Sequence, residues 1–142
     1  MSWADCSGED PLGLESGLVL DQQMTASSEW DKNHGPENAR LNFAEARGKV
    51  GSWSSQVNDA NQWLQVDFLQ DVKIAKIATQ GRQSNHDQWV TKFKIMYSED
   101  GPTSSTFKTY QENGQDKVCG EPIEAESYVN SFNMKPLRLG LH

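Results

Sequence analysis

Cysteine is scarce in this chain. There are two, Cys6 and Cys119, and neither belongs to a C-x-x-C pair, so a thiolate zinc site is disfavoured. No apolar run approaches the length of a membrane-spanning helix. No window keeps helical periodicity beyond about two turns, which argues against a helical fold. Basic side chains are outnumbered, 13 Lys and Arg against 20 Asp and Glu, for a net charge of -7. A general attraction to nucleic acid is therefore disfavoured. Met1 to Asp10 has no apolar core and does not read as a signal peptide. An N-x-S/T glycosylation sequon is also missing.

What is present is bulk and alternation. The 142 residues suit one domain, with residues 1–5 expected as a flexible extension. Five Trp, five Phe and three Tyr supply large anchors for a core and for loops. Three stretches in a row read as strands. In Asn61 to Phe68, Leu64, Val66 and Phe68 share one face, and Trp63, Gln65 and Asp67 share the other. In Gln88 to Ser98, Trp89, Thr91, Phe93, Ile95 and Tyr97 alternate with polar or smaller residues. Between them, Asp71 to Gly81 breaks parity, because Ile74 and Ile77 cannot share a face without a bulge; the strand is either bulged or buried on both sides. Gln22 to Ser28 is predicted as an earlier strand. Ser105 to Tyr110, Lys117 to Cys119 and Glu124 to Phe132 are later ones, with a turn at Asn113-Gly114. Many short strands separated by turn residues predict an all-β antiparallel sandwich or barrel.

Three polar loops carry the candidate site. The first, Glu29 to Gly35, holds Trp30 among Asp31, Lys32 and His34. The second holds Val57 beside Asn58 and Asp59. The third runs from Arg82 through Ser84, Asn85 and His86 to Asp87. A tryptophan in so polar a setting is either a ligand anchor or folded back onto the barrel. Arg82 is either a bidentate partner for a carboxylate or phosphate, or a strut to Asp87. The histidines have no metal-ligand spacing, and no acidic loop demands calcium. Trp53, Trp63, Trp89 and Phe93 are expected in the core. Cys119 is expected as a buried thiol, with a bridge to Cys6 as the alternative.

Joined motifs then add a family. Met24-Thr-Ala-Ser-Ser28, Ala39-Arg-Leu-Asn42, Trp53 with Gln56-Val-Asn58, Gln62-Trp-Leu-Gln-Val-Asp-Phe68, Thr79-Gln-Gly81 and Tyr97-Ser98 follow one another in order. In this order they resemble the discoidin domain, the C-type domain of coagulation factors V and VIII. The resemblance implies a jelly-roll-like β-barrel with three binding loops at one end. It implies a non-enzymatic, extracellular or cell-surface adhesion module, part of a larger protein. Lipid-binding members insert apolar loop tips into phosphatidylserine membranes; others hold a peptide carboxylate or a sugar.

The third loop here has no apolar tip, so a cell-surface protein or glycan is favoured over anionic phospholipid headgroups. The resemblance also implies a terminal cysteine paired with Cys6. Cys119-Gly-Glu-Pro-Ile-Glu124 and Leu137 to His142 depart from the family pattern. The departure predicts missing last strands, an open sheet edge and, at worst, a poorly folding product without binding activity. No nucleophile, base and orienter stand together, so an enzyme is not predicted. No cofactor is predicted.

Overall fold

The computed structural model describes residues 11–82, 88–101, 103, 105–119, 124–134 and 137–141. The expected extension at residues 1–5, and Cys6, lie outside them. Among the described residues there are ten strands, two three-residue 3-10 turns and no α-helix. The strands are β1 (Met24–Ala26), β2 (Trp63–Val66), β3 (Val72–Gln80), β4 (Phe93–Tyr97) and β5 (Lys108–Thr109), then β6 (Gln111–Glu112), β7 (Gln115–Asp116), β8 (Val118–Cys119), β9 (Glu124–Met134) and β10 (Leu137–Leu141). All pairings are antiparallel. The main sheet runs β1-β2-β10-β4-β5, with β8 also on β4. A second sheet joins β3 to β9. Val66 and Met24 from the first sheet, Ile74 and Ile77 from β3, and Phe93 and Ile95 from β4 share one core. This is the all-β antiparallel sandwich that the short alternating strands predict.

The parity break in Asp71 to Gly81 is a bulge. Ile74 pairs with Phe132 but Lys76 with Tyr128, so the register slips between them. The slip lets both Ile74 and Ile77 be buried. Pro36–Asn38 forms a 3-10 turn with proline at its first position.

Three expectations need correction. The closing strand is present: Leu137–Leu141 lies between β2 and β4, pairing Leu139 with both Leu64 and Ile95. Its partners are far away in sequence, so the local departure from the family pattern did not reveal it. Gln65, on the face opposite Leu64 and Val66, is buried too, in an interior strand flanked by β1 and β10. Trp89 was assigned to the core but is 46% exposed, because the regular strand begins only at Phe93. Trp53 and Trp63 are half-buried rather than central. Phe93 is in the core as expected. Cys119 is a buried free thiol, not a bridge partner of Cys6.

The edge beside β4 has an unusual construction. β5 pairs with Met96 and Tyr97, and β8 pairs with Phe93 and Lys94. Together they form one edge strand, interrupted by residues 111–117. Tyr110 N donates to Ile95 O at 2.8 Å, and Lys117 N donates to Tyr110 O at 3.0 Å, closing the base of this excursion. The excursion is the small hairpin β6–β7, turning at Asn113-Gly114 as expected. Both turn residues have positive φ, 53° and 77°, the requirement of a type I′ turn.

Candidate functional site

The first loop leaves β1 and the second enters β2, so the antiparallel pairing of Ala26 with Leu64 sets them side by side. Gln62 joins them. Its side chain is buried, at 6% exposure. Ser27 and Ser28 hydroxyls from the first loop each donate to Gln62 Oε1 at 2.7 Å. Gln62 Nε2 donates to Asp59 Oδ1 in the second loop at 2.9 Å. The serine oxygens accept in turn. Ser27 Oγ receives Trp63 N at 3.0 Å, and Ser28 Oγ receives Gln56 N at 3.1 Å. The Gln62 bond, and then Asn61 N, hold the Asp59 carboxyl below its ordinary range.

Trp30 is 63% exposed, yet its backbone is pinned. Trp30 N donates to Ser54 O at 2.8 Å, and Val50 N to Asn33 O at 3.1 Å. Asp31 Oδ1 accepts from His34 Nδ1 at 2.7 Å and from Asn33 N at 2.8 Å. These bonds, His34 first, lower the Asp31 pKa. The buried Asn38 donates from Nδ2 to Asn33 O at 2.6 Å. Trp53 Nε1 donates to Ser28 O at 2.9 Å, so this tryptophan braces the first loop from below. Trp30 is therefore an apolar side chain held outward on a fixed backbone.

Of the predicted site residues, Trp30, Asp31, Lys32, Val57, Asn58 and Asp59 lie exposed on these two loops. His34 is half-buried and serves Asp31. Arg82 is a strut, but to Glu45: Nη2 donates to Glu45 Oε1 at 2.8 Å and Nη1 to Gln88 Oε1 at 2.9 Å. Ser84, Asn85, His86 and Asp87 lie outside the described residues. Beside that stretch, Trp89 and Val90 are exposed apolar side chains that the alternation had hidden.

A hairpin turning at Arg47-Gly48 was also missed. Ala46 bridges Lys49, and Arg47 and Gly48 both have positive φ. It touches the first loop through Val50 and carries Glu45 to Arg82. Gly48 between Arg47 and Lys49 was the available signal. Gln62 was missed because nothing local distinguishes a buried glutamine from a solvated one. Among the described residues, no group of three or more His, Cys, Asp or Glu could hold a metal ion.

The fold is an all-β antiparallel sandwich with its first two loops set side by side at one end of the β1–β2 pair. Residues 23–139 match the model of the F5/8 type C domain, and the chain belongs to that family. Coagulation factor V of Sus scrofa is 37% identical over 134 residues, a match covering 89% of this chain and 6% of that protein. The chain thus spans a small part of that relative's length. Discoidin II of Dictyostelium discoideum superposes with a TM-score of 0.69 at 23% identity, covering 84% of this chain and 48% of that one. The chitosan-binding module 2 of a Paenibacillus sp. IK-5 chitosanase/glucanase, solved with chitotriose, gives 0.64 at 17% identity, covering 87% and 85%. At these identities the two structures show the fold alone.

Proposed function

We propose that this chain is an extracellular, non-enzymatic recognition module that binds a cell-surface glycan or protein through the loop rim. A sugar ring is the better fit. The observation that carries this is Trp30, an exposed indole on a backbone already ordered by hydrogen bonds. An ordered platform loses little entropy on binding. Its apolar face suits the C–H face of a sugar, and Asp31, Lys32, Asn58 and Asp59 supply polar partners around it. The net charge of -7 opposes an anionic bilayer.

A second reading, binding to phosphatidylserine-type surfaces, draws support from exposed Val57, Trp89 and Val90. Burying each such side chain in lipid would contribute roughly 1.5–3 kcal/mol. The test is binding to immobilised glycans, phosphatidylserine vesicles and neutral vesicles, with Trp30→Ala in parallel. Glycan binding lost in Trp30→Ala supports the first reading. Binding to phosphatidylserine vesicles alone overturns it in favour of the second.

A further inference from the structure

We infer that Asn113 is a site of spontaneous covalent modification, converting to isoaspartate and aspartate through a succinimide. Three features coincide there. Asn113 is followed by Gly114, whose missing side chain leaves its amide nitrogen open to the Asn113 side chain. Both residues are exposed at the tip of the β6–β7 hairpin. That hairpin has only two residue pairs, Gln111 with Asp116 and Glu112 with Gln115, and belongs to neither large sheet. A two-stranded hairpin of this size is marginal in water, so its turn opens readily. Opening matters because the left-handed turn conformation of Asn113 must be left before the ring can close.

The chemistry balances without an oxidant or reductant. Gly114 N attacks Asn113 Cγ and gives up its proton. The Cγ–Nδ2 bond breaks, and ammonia leaves carrying that proton. One water then opens the ring. Cleavage of the bond from Gly114 N to Cγ gives aspartate; cleavage of the bond to the main-chain carbonyl carbon gives isoaspartate. Either product adds a negative charge beside Glu112, which Lys117 Nζ contacts at 2.7 Å. Isoaspartate also lengthens the backbone by one carbon, which a two-residue turn cannot absorb in register. The β6–β7 pairs are lost, while β5 and β8 keep their separate pairings with β4.

The chain is incubated at mildly alkaline pH and 37 °C, then analysed by peptide mapping with enzymatic isoaspartate detection. The expected result is one dominant modified peptide, containing residues 111–117, with the mass gain of an amide-to-acid exchange. Asn113→Gln should abolish it, and Asn58 and Asn61 should stay intact over the same period. Stability should change little on conversion. An unmodified Asn113 after most of an excised peptide of residues 108–119 has converted would show that the hairpin protects the turn, and overturns the inference. Earlier modification at any other asparagine overturns it as well.

Discussion

Replacing Gln62 with leucine should loosen two loops at once without touching either. Leucine is one heavy atom shorter and branches one carbon earlier, so three hydrogen bonds go together with a little packing. Two are neutral, from Ser27 and Ser28, and net hydrogen bonds of this kind contribute about 0.5–1.5 kcal/mol each. The third ends on the Asp59 carboxylate. Asp59 is exposed, so water recovers part of that last contribution. The two serine bonds run to buried Gln62 and are partly buried, so water recovers less of them. The expected loss is therefore about 1–3 kcal/mol, against a total of roughly 5–15 kcal/mol for a typical domain.

Urea denaturation of Gln62→Leu measures the loss directly, as a lower midpoint at unchanged slope. Amide exchange locates it. Gln56 N and Trp63 N, which donate to the two serine hydroxyls, should lose protection, while Ile95 in β4 should follow only global unfolding. A stability change below about 0.5 kcal/mol would place Gln62 among ordinary surface residues. That result would refute the claim that it ties the loops together. So would a large loss with both amides unchanged relative to the core.

Two further outcomes follow from the same structure. Ile95→Ala removes a fully buried side chain at the centre of the main sheet and should cost about 2–5 kcal/mol, read as a shifted denaturation midpoint. The carboxyls of Asp31 and Asp59 are both held below their ordinary range by bonds that require the charged form. A depressed folded pKa gives stability that is fully present above the unfolded value and is lost as pH falls through the folded one. Acid melting should therefore steepen below the ordinary carboxylate range, and Asp31→Asn with Asp59→Asn should flatten that part of the profile.

The sequence by itself determined the fold class, the core of β4 and the turn at Asn113-Gly114. Period-two alternation is a property of one strand's covalent geometry, so Phe93 and Ile95 were legible without any partner. The broken parity at Ile74 and Ile77 left a bulge or a doubly buried strand, of which the structure has the bulge, and Asn113-Gly114 announced a turn. Trp30 and Val57 were legible as loop-borne apolar side chains, and both are exposed. Only the tertiary structure decided what depends on distant partners. Gln65 is buried because β2 has strands on both sides, and one of them, β10, comes from the far end of the chain. Arg82 finds Glu45 because the Arg47-Gly48 hairpin reaches across to the third loop. Gln62 links two loops because antiparallel pairing brings Ser27 and Ser28 to it across 34 or 35 residues of sequence. A polar side chain carries the same local signal whether water or a buried hydroxyl will satisfy it, and only the folded chain selects between them.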